Sequence, residues 1–471
     1  MILSKLPRFS GLLISVVLLI QPALSRADLI YNSQPQPYGG EALGYGGAYT
    51  ALSNESSGLF YNPAMKPQPN GLSLDLSLRS VGIVRRGHSE LVRTLRAEPS
   101  FVALQGPFWG NYAGYLYNES SENSVSKSLP DEDYGNTKLK GIHSEVNQLN
   151  LTQASFLGMT FSYPINENLV SGFGLVYWDA DIQQGSDAHY TYINELSGNG
   201  QTFSYSGAST RTFLRTALGS GFQLRTGLKW VTGPLKVGAS LSVPGSISYK
   251  AKTIYRYNAG LHFNGNKNTS PCNDNVTMAM ICSDEFRSSS QTRISDYSEK
   301  LPLSLSLGVA WESRFWSVST DIEYRGSTNY QVSGLNLSES VASDGFLDVD
   351  LASSSYQAKK KSVLRLGLGG KLKFAEDEIR RFFLFLGWYQ DPSSRVFDKE
   401  RLSQQLGAEK IDFSGTSFGV LHQSEGFIHF FGVVAVRGDG TRVIAKPGLG
   451  YETTSFSISR NNAVYSAGIT F

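Results

Sequence analysis

Apolar and polar residues alternate one for one along much of the chain, the mark of a β-strand with two different faces. Leu72, Leu74, Leu76 and Leu78 interleave with Ser73, Asp75, Ser77 and Arg79. The same period runs through Phe222 to Trp230, Leu235 to Val243, Leu303 to Trp311, Trp316 to Tyr324 and Leu364 to Leu372. It also closes the chain, with Tyr465, Ala467, Ile469 and Phe471 on one face. The pattern predicts strands near 71–84, 99–106, 111–118, 151–163, 169–179, 219–230, 235–248, 301–312, 316–326, 361–373, 381–390, 413–421, 427–437 and 462–471. Most run about 10 residues, the length of a tilted membrane strand.

The links between these strands alternate strictly between short and long. Short ones are 107–110, 164–168, 231–234, 313–315, 374–380 and 422–425; long ones are 85–98, 119–150, 180–218, 249–300, 327–360, 391–412 and 438–461. A soluble sandwich also alternates, but it does not sort its links this way; bacterial barrels do, with periplasmic turns and outer loops. Trp178, Trp230, Trp311, Trp316 and Tyr389 fall at strand ends, where an interfacial aromatic girdle belongs. The expected fold class is all-β, a transmembrane antiparallel β-barrel of 14 strands over 71–471. Lipid cannot satisfy backbone N–H or C=O groups, so such a sheet must close on itself. The leucines then face lipid, and Arg225, Lys229, Asp321, Glu323, Arg325, Arg365 and Lys371 face the lumen.

The N-terminus sets the compartment. Lys5 and Arg8 precede the apolar run Gly11 to Ile20, Pro22 breaks it, and Ser25-Arg26-Ala27 offers small residues for cleavage. Residues 1–27 thus read as a secretory signal peptide, and the mature protein is expected in the bacterial outer membrane. Residues 28–70 read differently again. They hold five prolines and the glycines Gly39, Gly40, Gly44, Gly46 and Gly47, and suggest a plug inside the barrel.

Composition narrows the function. Charged residues make up 17% of the 471, and 42 basic against 40 acidic residues leave a net charge of +2, which excludes a broad phosphate-binding surface and argues against a nucleic-acid partner. Two cysteines exclude a four-cysteine zinc site. Cys272 and Cys282 are expected to form a disulfide in the oxidising envelope, worth on the order of 2–3 kcal/mol, with free thiols as the alternative. Gly415-Thr416-Ser417-Phe418-Gly419 matches G-x-S-x-G, but it lies inside an alternating strand rather than at a strand–turn–helix elbow, so no catalytic residue is assigned. The histidines are scattered and assign no metal, and no cofactor motif is present. Asp131-Glu132-Asp133 is a cation candidate against the plainer reading of a solvated loop. Arg85-Arg86 and Lys359-Lys360-Lys361 are candidates for contact with outer-membrane lipid headgroups, against simple solubility.

The run from Gly46 to Ala64, GGAYTALSNESSGLFYNPA, is the most specific stretch in the chain. Placed after a signal peptide and ahead of a barrel, it resembles the N-terminal hatch of FadL-type long-chain fatty acid transporters. Leu301 to Gly308 resembles that family's Leu-Pro-start strand, Trp316 to Tyr324 the strand that follows, and Leu386 to Ser393 its Gly-aromatic strand with an Asp-Pro-Ser loop. The long 249–300 link and the region after 400 depart from the family pattern. The resemblance implies passive transport of fatty acids or hydrocarbons by a monomer that is not an enzyme, with lateral release into the membrane. It makes Asn62, Pro63 and Ala64 the hatch motif and puts a wall kink in the third strand. Gly114 is the candidate for that kink, with ordinary close packing as the alternative. A second function remains open: a barrel acting as a binding or scaffold accessory in secretion, gripping a partner with the 249–300 link.

Overall fold

The alternating segments close on one another in the computed structural model, which describes residues 37–52, 55–64, 72–86, 90–117, 121–128, 132–134, 137–198, 201–264, 284–332, 356–396, 409–446 and 450–470. The signal peptide 1–27, Cys272, Cys282 and Asp131 lie outside the described residues. Fourteen antiparallel staves form the barrel. They are β1 (Ser73–Arg86), β2 (Glu90–Gln105), β3 (Trp109–Tyr117), β4 (Thr137–Pro164), β5 (Leu169–Gly198) and β6 (Gln201–Thr232). Next come β7 (Leu235–Ser242, continued by Gly245–Phe263) and β8 (Glu285–Leu301, continued by Ser304–Glu312). The circle is completed by β9 (Trp316–Arg325), β10 (Val363–Glu376), β11 (Arg381–Asp391), β12 (Glu409–Ser424), β13 (Phe427–Lys446) and β14 (Gly450–Thr470). Closure is made by β14 against β1, from Ser73 opposite Thr470 to Arg86 opposite Ile458.

Every strand expected from periodicity lies on one of these staves, and the short links are tight turns. Gly233 and Gly426 take positive φ values of 54° and 74° in two of them. The long links are shorter than expected, because ladders continue into them. The β5–β6 ladder runs from Leu169 opposite Trp230 out to Gly198 opposite Gln201. At ~3.3 Å per residue a strand of 32 residues is ~100 Å long, far more than a bilayer requires. Apolar alternation marks only the part of each stave that meets lipid. Beyond it the outward face turns polar, as at Ser246, Ser248 and Lys250, while the inner face of β7 keeps Ile247, Tyr249, Tyr255 and Tyr257 and the backbone pairing persists.

Two neighbouring staves are interrupted at one height. Val243-Pro244 breaks β7 and Pro302-Leu303 breaks β8, while Gly245 faces Leu301 above the break and Ser242 faces Ser304 below it. Proline has no N–H for a ladder, so such positions suit a bulge. The break inverts which residues point outward on both strands together. Leu241 and Leu305 point out below it, and Ser246 and Lys300 above.

The outward face is an apolar belt. Phe173, Leu224, Leu307, Leu364, Leu386 and Phe431 are all exposed. So much apolar surface in one continuous belt suits lipid rather than water. Trp230, Trp311 and Trp316 point outward at the short-turn end, in the expected girdle position. Trp178 and Tyr389 do not join them: both are buried on the inner face, where Trp178 packs on Phe156 at 5.4 Å between ring centroids. Among the anticipated lumen charges, Lys229, Asp321, Arg325 and Arg365 are buried on the inner face. Lys360, a headgroup candidate from sequence, also turns inward and pairs with Glu299 at 2.5 Å.

Candidate functional site

The described residues from 37 to 64 are almost wholly buried, although they form only a five-residue helix, α1 (Gly40–Gly44), and a 3-10 turn, Ser56–Phe60. Their neighbours lie on staves all around the circle. Residues in contact with staves on every side of a closed barrel must lie inside it. Pro63 meets β5, Asn62 meets β6, Thr50 meets β7 and β8, Tyr45 meets β10, Gly46 meets β11, and Gly40 meets β13 and β14.

The wall receives this segment on glycines. A Cβ built on Gly172 would lie 2.2 Å from Pro63 O, and one on Gly227 would lie 2.0 Å from Asn62 Oδ1. These two glycines face each other across the β5–β6 ladder. Gly238 and Gly308, opposed across β7 and β8, accommodate Thr50 in the same way. Gly369 and Gly387, opposed across β10 and β11, accommodate Tyr45 and Gly46. Each pair removes side chains from adjacent strands at one point, so backbone packs directly on sheet.

The three motif residues expected from sequence are brought together on the first of these glycine pairs. Asn62 has no exposed surface. Its Nδ2 donates to Thr50 O at 3.0 Å, within the segment, and to Leu228 O at 3.1 Å, in the wall. Its Oδ1 accepts the Ala64 N–H at 2.9 Å, which closes an Asx turn around Pro63. One side chain thus fixes the local turn, the fold of the segment and its attachment to β6.

Charges on the wall hold the rest through backbone groups. Asp321 Oδ2 accepts the N–H groups of Tyr49 and Thr50 at 2.9 and 2.8 Å. Arg225 Nη1 donates to Phe60 O at 2.5 Å, and Lys229 Nζ donates to Leu52 O. Lys371 reaches Glu41 Oε1 at 2.9 Å, and Tyr49 OH donates to Glu41 Oε2 at 2.5 Å. Tyr61 OH donates to Tyr38 O at 3.0 Å and accepts the Tyr38 N–H at 2.9 Å, joining the two ends of the segment. Burial raises the pKa of Tyr38, Tyr49 and Tyr61, so these hydroxyls keep their protons and remain donors. Periodicity pointed Arg225, Lys229, Asp321 and Lys371 into the lumen. It carried no signal for their partners, which are mostly carbonyl and amide groups, nor for Glu41.

Two spaces adjoin the segment. One is polar and lies between Thr50, Phe60 and the wall charges Arg225, Asp321, Glu323 and Arg365. Arg325 there binds Glu323 at 2.9 Å and Asp391 at 3.2 Å. The other lies between Glu55 and the β1–β14 seam beside Asp75 and Ser466.

An apolar column climbs from the segment along the inner face of β2 to β8. It begins at Tyr38, Leu59 and Phe101, passes Phe156, Trp178 and Ile182, and includes Ile247, Tyr249, Tyr297 and Leu301. Tyr249 and Tyr297 stack at 4.7 Å. Gly114 lies beside the lower end of this column. A Cβ there would be 2.7 Å from Phe156 Cζ and 3.1 Å from Phe101 Cδ2. The ladder between β2 and β3 runs from Gln105 opposite Gly110 to Phe101 opposite Gly114 and ends there, while β3 continues against β4 to Tyr117. Neither ladder of β3 shifts register. Ser417 of the G-x-S-x-G match sits mid-strand on β12, opposite Gly387, and not on a turn.

No family model matches the chain, and no curated protein is similar to it in sequence. Solved structures are similar to it in shape. One is a Pseudomonas aeruginosa FadL homologue, at 11% identity and a TM-score of 0.49, over 95% of this chain and 100% of that one. The Pseudomonas putida toluene transporter TodX is similar at 15% identity and a TM-score of 0.46, over 94% and 100%. The Ralstonia pickettii toluene transporter TbuX is similar at 13% identity and a TM-score of 0.41, over 93% and 99%.

Proposed function

We propose that the chain is an outer-membrane channel for passive uptake of hydrophobic compounds, long-chain fatty acids or hydrocarbons, in which residues 28–70 act as a hatch. The observation that carries this reading is the aromatic column that ends on the buried N-terminal segment, at Tyr38 and Leu59. A porin for polar solutes has a water-filled, polar lumen. Here a hydrophobic solute finds stacked aromatic rings on one wall and an obstacle below. The end of the β2–β3 ladder at Gly114 lies beside that obstacle and supports lateral release. A solute leaving there reaches the bilayer without crossing periplasmic water.

The test is uptake of radiolabelled oleate, and of toluene, in an outer-membrane host lacking its own fatty acid transporter. Empty vector, this protein and Asn62→Ala are compared at equal surface levels. Faster entry with the protein, altered by the substitution, is the expected result. A folded barrel that speeds entry of neither compound overturns the reading. Stoichiometric co-purification of another envelope protein would then favour the scaffold alternative.

A further inference from the structure

The interruption of β7 and β8 exchanges the two faces of both staves. Below it Leu305, Leu307 and Trp311 point outward. Above it Ile247, Tyr249, Tyr297 and Leu301 turn inward and join the apolar column. Lys250, Lys252 and Lys300 are then exposed on the outer face. An unbroken period of two would place Lys250 and Lys300 in the lumen, and Tyr249 and Leu301 outside.

The height of the exchange matches the edge of a bilayer. From Trp311 to Lys300 is about 36 Å of strand at ~3.3 Å per residue, and a tilt of about 35–45° leaves roughly 25–30 Å of height. The apolar band of an outer-membrane barrel is about 25 Å tall. Lys300 therefore stands where acyl chains give way to headgroups. Apolar residues persist between the lysines. Lys250 is opposite Leu218, which is 63% exposed, and Lys252 is opposite Ile294, which is 75% exposed. Lys359 and Lys361, on the approach to β10, are exposed beyond the outward-facing Leu364. None of these lysines makes an ion pair among the described residues, whereas Lys360, turned inward, pairs with Glu299. Asp296, opposite Lys250, and Asp179, on β5, face the same side and leave the lysines in excess.

We propose that the outer face of β7 and β8 above the break binds a phosphorylated lipid of the outer leaflet. Lys250, Lys252 and Lys300 meet its phosphates, and Leu218 and Ile294 meet its acyl chains. A lysine stem lies along hydrocarbon while its ammonium group reaches an anion, so this mixed surface fits a molecule that carries both. A free phosphate would find the charges and leave the apolar side chains unused. One change of period thus serves both sides of the wall: it turns aromatic rings to the lumen and ammonium groups to the lipid. The inference uses the barrel and its belt and does not depend on what the lumen carries.

The experiment measures binding of fluorescent lipid A to the purified, folded protein in detergent micelles with EDTA present. The same lipid stripped of its phosphates is the second ligand, and inorganic phosphate is the competitor. The proteins are wild type, the triple variant Lys250→Gln, Lys252→Gln and Lys300→Gln, and the same three positions changed to Arg. Arg314→Gln with Arg380→Gln, at the short-turn end, is the control. Heat-modifiable mobility confirms that each is folded. Wild type is expected to bind the phosphorylated lipid roughly tenfold or more tightly than the stripped one, and added salt to weaken that preference. The Gln variant is expected to lose most of it, and the Arg variant and the control to keep it. Phosphate equimolar with the lipid is expected not to displace it. Equal wild-type affinity for the two lipids, or an unchanged preference in the Gln variant, overturns the inference. An equal loss in the control overturns it in favour of unspecific charge attraction, and displacement by equimolar phosphate in favour of a bare anion site.

Discussion

Asn62 shows how much one side chain can organise. It is fully buried, donates to Thr50 and Leu228 and accepts from Ala64, so its removal breaks three hydrogen bonds at once and takes the acceptor from the Ala64 N–H. Each buried polar group left unpaired costs roughly 1–3 kcal/mol. Asn62→Ala is therefore expected to loosen the segment from β6, seen as faster proteolysis of residues 37–64 in a barrel that still migrates as folded. Asn62→Asp keeps the acceptor for Ala64 and loses both donated bonds, so its effect should be comparable rather than mild. Glu55 makes a prediction of the opposite kind. Burial and its neighbours Glu41 and Asp75 raise its pKa well above the usual carboxylate value, against a smaller opposing pull from Lys371. A group whose folded-state pKa is raised stabilises below its unfolded pKa and loses that contribution as pH rises through the folded value. Docking of the segment is thus expected to weaken with rising pH above the usual glutamate range. Glu55→Gln should flatten that dependence, as read by proteolysis of the segment across pH. Of these residues the sequence exposed Asn62 through its motif; Glu55 was legible only as part of a polar run, because its neighbours come from α1 and β1.

At the scale of elements, the staves and tight turns were readable because lipid imposes a strict two-residue period and the turns demand few residues. The extent of β4 to β8 was not. Above the belt, water and protein replace lipid, and Gln183 to Gly198 carries no apolar rhythm although it pairs throughout with β6. The glycine pairs were visible as letters and silent as to purpose, since a glycine in a strand signals only a weak or crowded place. Gly227→Val tests that purpose. Its side chain would occupy the position of Asn62 Oδ1 while leaving the β5–β6 ladder intact. The expected outcome is a folded barrel with larger and more frequent conductance steps in a planar bilayer than wild type. Wild-type conductance from the variant would mean that the segment tolerates displacement without opening a path.

At the scale of the whole molecule, a belt held by lipid carries a taller sheet that stands beyond it. The interruptions at Pro244 and Pro302 fall on two adjacent staves at the top of the belt. Replacing residues 188–211 with a two-residue turn uses the facing pair Asp187 and Thr212 as its base. The shortened chain is expected to insert and to retain heat-modifiable mobility, because every apolar segment survives. Failure to insert would show that the tall hairpin guides assembly. The interior has its own consequence. Where Gly172, Gly227, Gly238, Gly369 and Gly387 touch the buried segment, a larger residue meets its backbone or the hydrogen-bonded Asn62 Oδ1, and at Gly308 it meets the Asp321 carboxylate and Ala51 N. A survey of every substitution in this chain, scored only by how tightly the outer membrane excludes a large antibiotic, would find those sites intolerant among permissive neighbours. Plotted on the unrolled sheet, the intolerant sites would draw the outline of an object the survey never saw, as a shadow gives the shape of what casts it.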